Sequence, residues 1–159
     1  MLRISRLTDY ATVILATLAQ EPAKLQTSAA LAEQTKLALP TVSKLLKQLQ
    51  RAGLVASTRG LRGGYQLARR ATDISAGEIL DALEGPLALT DCASGHGNCG
   101  FEKSCRVGHA WQRLNVIIRR SLRDVSLAQL AGLDQSQLHV LALERDMKAA
   151  AARAQSRST

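Results

Sequence analysis

Tyr10, Val13, Ile14, Thr17 and Leu18 recur at helical spacing and predict a first helix over residues 8–20, capped by Thr8 and ended by Glu21-Pro22. A second, short helix is expected from Thr27-Ser28 to about Thr35. Four residues intervene, and then Pro40 takes a favoured first-turn position of a third helix, whose buried stripe is Val42, Leu45, Leu46 and Leu49. Gly53 follows its C-cap. That stripe leaves Thr41, Ser43, Lys44, Lys47 and Arg51 on the opposite face. Two β-like runs follow, at 54–57 and 65–68, joined by the loop Thr58-Arg59-Gly60-Leu61-Arg62-Gly63-Gly64. Residues 73–85 predict another helix, with a Ser75–Glu78 capping box, Ile79, Leu80 and Leu83 inward, and Gly85-Pro86 as its stop. Asp81 and Glu84 read as surface charges.

Helix, helix-turn-helix and β-hairpin is the element order of a winged helix, so the fold class is mainly α, with a small hairpin wing, over residues 1–86. Charge changes what this module can do. The 159-residue chain carries a net charge of +8. No acidic residue falls between Glu33 and Asp73, where Lys36, Lys44, Lys47, Arg51, Arg59, Arg62, Arg69 and Arg70 stand. Elsewhere acids and bases cancel. A like-charge run alone also describes an ordinary solvated face. On a helix-turn-helix with a wing it becomes the footprint of double-stranded DNA. Short polar and cationic side chains near the start of helix three suit base edges in the major groove. Arg59 and Arg62 on the wing suit the negative potential of the minor groove, and the loop glycines would let backbone approach phosphates. Winged helices also serve as protein-interaction modules. The wholly basic face favours nucleic acid.

All three cysteines, Cys92, Cys99 and Cys105, fall in one polar, glycine-rich stretch spaced C-x6-C-x5-C, with His96 inside and His109 just beyond. Such a loop cannot bury them in a core, and an odd thiol count argues against a disulfide framework. Metal or redox chemistry is the expectation. Zinc sites favour a short C-x2–4-C knuckle, which is missing from this sequence. The wide spacing suits an iron–sulfur cluster better, with His96, Glu102, His109 and Asp9 as candidates for the remaining ligand. A thiol nucleophile would need a substrate pocket and an oxyanion loop that nothing in the sequence suggests, so the chain is not read as an enzyme.

Beyond the cysteine loop (87–108), Trp111, Leu114, Ile118, Leu122 and Val125 form one stripe of a long helix from about Val107 to Arg123. Residues 109–133 are accordingly expected to be a dimerisation helix and a short following helix capped by Ser126. A two-fold dimer would match a palindromic operator. Residues 134–159 form a weakly patterned tail. No apolar run reaches the ~20 residues of a transmembrane helix, the start lacks the features of a signal peptide, and a cytoplasmic, non-membrane protein is expected.

Leu7-Thr8-Asp9-Tyr10-Ala11, the wing Arg59-Gly60-x-x-Gly63-Gly64-Tyr65, and the three cysteines followed by Trp111 resemble the IscR/NsrR-type winged-helix iron–sulfur transcription regulators over roughly residues 1–131. The wording of Leu39–Leu46, Leu83-Glu84-Gly85-Pro86 and Trp111-Gln112-Arg113 looks most like the branch that regulates the SUF cluster-assembly operon. The resemblance implies a homodimeric, cluster-responsive repressor with Cys92, Cys99 and Cys105 as ligands. It implies base contacts at Thr41, Ser43 and Lys44, and a minor-groove contact at Arg59. It leaves the cluster [2Fe–2S] or [4Fe–4S]. The position three residues after the third cysteine, where one branch has histidine, is Gly108, with His109 one further on. Asp9 matches the aspartate used in another branch. Nitric-oxide or oxidant sensing through the same cysteines, and a structural zinc, are the alternatives.

Overall fold

The computed structural model describes residues 4–86, 88 and 107–134. The expectations for Cys92, Cys99 and Cys105, for the 87–108 loop apart from residues 88, 107 and 108, and for the tail beyond Asp134 lie outside the described residues. The elements are α1 (Arg6–Gln20), α2 (Ser28–Thr35), α3 (Leu39–Arg51), β1 (Val55–Thr58), β2 (Gly64–Leu67), a 3-10 turn (Ala71–Asp73), α4 (Ala76–Glu84), α5 (Gly108–Asp124) and α6 (Leu127–Leu130). The strands pair antiparallel, Val55 opposite Leu67 and Thr58 opposite Gly64. This is the expected helix-turn-helix and wing, with the strands shifted by one residue.

α1 is the central post, packed against α2, α3, α4, α6 and β2. Its buried residues are Thr8, Ala11, Ile14, Leu15, Leu18 and Ala19. The stripe read from the sequence is thus corrected in part. Val13 is 41% exposed, and small Ala11 and Ala19 face the core, where neighbouring helices approach closely. The start is corrected too. The helix begins at Arg6, and its N-cap is Ser5, whose hydroxyl accepts from the Thr8 backbone N–H. α3 behaves as predicted, with Val42, Leu45, Leu46 and Leu49 wholly buried. They join Leu31, Leu54, Val55, Ile74 and Ile79 in one core, which also takes Leu127 from α6.

Two backbone stitches hold outlying parts onto this core. Gln26, between α1 and α2, pairs with Tyr65 of β2 through reciprocal bonds of 3.0 and 2.8 Å. Ala76 N–H donates to Val125 O at 2.8 Å and Leu127 N–H to Ile74 O at 2.7 Å, joining the start of α4 to the α5–α6 junction. Both segments then open helices with capping boxes, Ser75 with Glu78 and Ser126 with Gln129. The helix expected over 73–85 runs from Ala76 to Glu84 behind its Ser75 cap, because Ile74 runs extended to make this pairing. α5 crosses α4 at Gly77, where an added Cβ would lie 3.2 Å from Arg123 Cγ.

The paired glycines of the wing have internal reasons that the phosphate-approach reading overlooked. A Cβ on Gly63 would run into the Thr58 carbonyl oxygen. A Cβ on Gly64 would lie 2.9–3.0 Å from the backbone of Gln26. Gly64→Ala should therefore push β2 away from Gln26 and destabilise the fold by about 2 kcal/mol, as overpacking against a backbone does. Urea unfolding with an unchanged midpoint would refute the tight approach.

Candidate nucleic-acid interface

α3 presents its predicted polar face. Lys44, Lys47 and Arg51 are exposed, while Thr41 and Ser43, in the first turn and a half, are half-buried. Pro40 stands in the first turn, and the helix starts without a side-chain cap. Arg59 and Arg62 are exposed on the wing. The wing is braced against the helix at its base, where Gln50 Nε2 donates to Ser57 Oγ at 2.8 Å.

The eight basic residues of the acid-free window divide into two groups. Arg69 pairs with Glu78 at 2.7 Å and Arg70 with Asp73 at 2.8 Å, both on the far side of the hairpin beside α4. The Arg70 hydrogen bonds hold the Asp73 carboxyl below its ordinary range, and Asp73 in turn raises Arg70. Burial works to raise Glu78, but the Ser75 N–H and the Arg69 guanidinium outweigh it and hold that carboxyl low. Lys36, Lys44, Lys47, Arg51, Arg59 and Arg62 make no ion pair among the described residues. The charge that summed to one block in sequence is thus sorted in space. Arg69 reaches Glu78 of α4, Arg70 pairs with Asp73 of the 3-10 turn, and the other six stand on α3, on the wing and at the turn before α3.

The two fourth-ligand candidates lie apart in the lining of the surface. Asp9 is exposed in the first turn of α1 and lines a 420 Å³ groove with Ile4, Thr8, Ile79, Leu122 and Val125. His109, exposed at the start of α5, lines a different 560 Å³ cavity with Gln112, Arg113, Val116 and Ile117. Among the described residues no group of three histidine, cysteine or acidic side chains gathers. The α5 stripe is only partly covered. Trp111 and Leu114 are 42% and 45% exposed, whereas Ile118, Leu122 and Val125 are half-buried.

Two acids taken as surface charges have structural partners. Asp81 pairs with Arg119 of α5 at 3.4 Å. Glu84 Oε1 accepts from Thr8 Oγ1 at 2.5 Å and from the Ser5 backbone N–H at 3.1 Å. In an ordinary capping box the residue at Thr8's position would be a Glu or Gln that accepts from the N-cap N–H. Here Glu84 supplies that carboxylate from the last turn of α4. The Ser5 and Thr8 hydrogen bonds hold the Glu84 carboxyl below its usual range.

A helix-turn-helix with a β-hairpin wing and a segregated cationic face is the architecture of a winged-helix transcription regulator. The chain belongs to the Rrf2 family, described as an iron-dependent transcriptional regulator, which residues 4–132 match. The HTH-type transcriptional regulator IscR of Vibrio atlanticus is 33% identical over 100 residues, 63% of this chain and 57% of the relative's length. Among solved structures, the CymR global cysteine regulator of B. subtilis is similar with a TM-score of 0.66 and 28% identity, over 85% of this chain and 100% of that one. T. potens IscR is similar with a TM-score of 0.61 and 30% identity, over 86% of this chain and 91% of that one. Among the described residues no helix is long and apolar enough to cross a membrane.

The Glu84 junction is testable by a double-mutant cycle. Thr8→Val and Glu84→Gln should each cost about 1–2 kcal/mol of stability, and the double variant should cost clearly less than their sum. Because the folded carboxyl titrates below its unfolded value, its contribution is full above the ordinary glutamate range and fades as pH falls through the lowered value. The gap between wild type and Glu84→Gln in thermal unfolding should therefore close on acidification. Additive costs that do not change with pH would refute the shared carboxylate.

Proposed function

We propose that this chain is a sequence-specific transcription regulator that binds double-stranded DNA as a homodimer on a palindromic operator. The observation that carries the reading is that six cations with no ion pair among the described residues stand on α3, its preceding turn and the wing. Thr41, Ser43 and Lys44 take the base-reading role, near the start of α3. Lys47 and Arg51, further along the same face, take phosphates, and Arg59 and Arg62 enter the minor groove. The exposed Trp111, Leu114, Val116 and Ile117 of α5 would meet the same helix of a second copy. Such a pairing sets the spacing of two reading heads.

The finer reading is a repressor of iron–sulfur cluster assembly genes of the SUF type, acting in the cytoplasm and controlled by a [2Fe–2S] or [4Fe–4S] cluster. The donor chemistry fits: Cys92, Cys99 and Cys105 supply three thiolates, with the Asp9 carboxylate or the His109 imidazole as the fourth donor. When bound, such a cluster supplies sensitivity to iron supply and oxidants. The chain's own part is to carry the order of the 87–108 loop into the DNA-binding body. Two junctions serve this, Glu84 with Ser5 and Thr8 before the loop and the Gly77–Arg123 crossing after it.

On duplex DNA, Lys44→Ala should lose affinity mainly for the selected sequence. Lys47→Ala should weaken selected and random duplexes alike and lower the salt slope by about 0.9. Arg70→Ala, which removes a cation held by Asp73, should leave both unchanged. An Arg70→Ala loss equal to that of Lys47→Ala would overturn the division of the basic window. Anaerobically purified protein should be coloured, with sulfide and iron in a ratio of about one, and Asp9→Ala or His109→Ala should change its spectrum. Colourless protein that holds zinc, or metal-free protein whose thiols respond directly to oxidant, would replace the cluster reading with one of the two alternatives.

A further inference from the structure

The wing ends in a β-turn closed by a 2.9 Å bond from Gly63 N–H to Gly60 O, which puts Leu61 and Arg62 at its two central positions. Leu61 is fully exposed, with no part of its side chain returned to the core. Single exposed leucines are common on protein surfaces. This one stands where turns ordinarily place Gly, Pro, Asn, Asp or Ser, and neither it nor Arg62 adopts a positive φ that would dictate the residue. Its exposed neighbours on the loop, Ser57, Thr58, Arg59 and Arg62, are all polar or cationic. The turn does not need a leucine, and neither does the fold.

We infer that Leu61 is an apolar contact residue for the DNA minor groove, carried into it between Arg59 and Arg62. This rests on the DNA-binding reading above and names a further residue of the same surface. The two unpaired guanidiniums are attracted by the negative potential of the groove floor. A side chain at the centre of the turn between them goes wherever they go. The groove's walls are deoxyribose edges, which are largely apolar, and leucine is one of the side chains that minor-groove proteins insert there. The tip is held to its task from below. Gly63 and Gly64 pack against Thr58 and Gln26, so the hairpin presents Leu61 from a braced base.

An apolar contact differs from a cationic one in releasing no counterions, and this separates them experimentally. The probe is a duplex selected by wild-type protein from a random library, with a random duplex of equal length beside it. Leu61→Ser should unfold with the wild-type midpoint, since its side chain touches nothing. It should bind the selected duplex about fivefold or more weakly, with the salt slope unchanged. Leu61→Met should retain wild-type affinity, and Arg62→Ala should lower the slope. Distamycin in the minor groove should erase the difference between wild type and Leu61→Ser. Leu61→Ser binding as tightly as wild type, or losing affinity together with slope, would overturn the inference. If wild-type protein itself shows no salt-dependent duplex binding, the DNA reading fails and takes this inference with it.

Discussion

The placement of the wing against α3 depends on one backbone contact, the reciprocal pair between Gln26 and Tyr65. A two-stranded hairpin of four-residue strands is marginal alone, and its direction relative to α3 would be loose. Pairing β2 to the α1–α2 connection adds a third backbone segment and fixes that direction. Gly64 is the condition for it, because any side chain there would meet the Gln26 backbone. Gln26 is itself buried, with its side-chain carbonyl accepting from Gln34 of α2 at 3.0 Å. The wing, the first helix of the helix-turn-helix and the end of α1 therefore share one joint. Arg59 and Arg62 are placed by it relative to Lys44 and Lys47, although none of the four touches it.

A second joint lies at the other end of α1. Glu84 completes the N-terminal cap of that helix across 76 residues of sequence. The chain leaves α4 directly after Glu84, at Gly85, whose φ of +83° suits a residue without a Cβ. The start of the cysteine-bearing segment is thus fastened to the helix that carries Asp9. α5 returns to the same body through Gly77 and the Asp81–Arg119 pair. These contacts lie toward the C-terminal end of α5, and α4 in turn packs on α1 and α3. Discrete contacts therefore connect α1, α4 and α5 to α3.

What the sequence made legible follows from the range of each interaction. The α3 stripe, the Ser75–Glu78 box and the Ser126 cap are encoded within four residues of themselves, and each appears as read. The N-cap of α1 is Ser5 and not Thr8; its bond to the Thr8 N–H is local, but the carboxylate that would complete a capping box comes from Glu84. The Gln26–Tyr65 pair leaves no periodic trace, since one residue pair makes no strand pattern. The double glycine of the wing was visible, but its cause was a backbone that only the fold brings near. Charge showed the same limit. The count located the basic window, and only the structure could show that Arg69 and Arg70 are spoken for. One local signal remained unused: Arg70 and Asp73 stand three residues apart, a spacing that favours pairing.

Those two pairs bear on why the remaining cations stand alone. Like charges gathered on one face repel, and a chain selected only for stability would pair or disperse them. This chain does pair cations where its own packing benefits, at Asp73, Glu78 and Asp81. Among the described residues it supplies no acid to pair with the cations of α3 and the wing. The repulsion persists in the free protein and is relieved when a polyanion arrives, so it adds to the binding free energy. Salt screens both sides of that exchange over a Debye length of about 8 Å at physiological ionic strength. Such an arrangement costs a little stability of the isolated fold and would favour a polyanionic partner, as the DNA-binding proposal requires. On the proposed DNA-binding reading, Thr41, Ser43 and Lys44 on α3 and Leu61 on the wing would supply the contacts that a general attraction to phosphates does not.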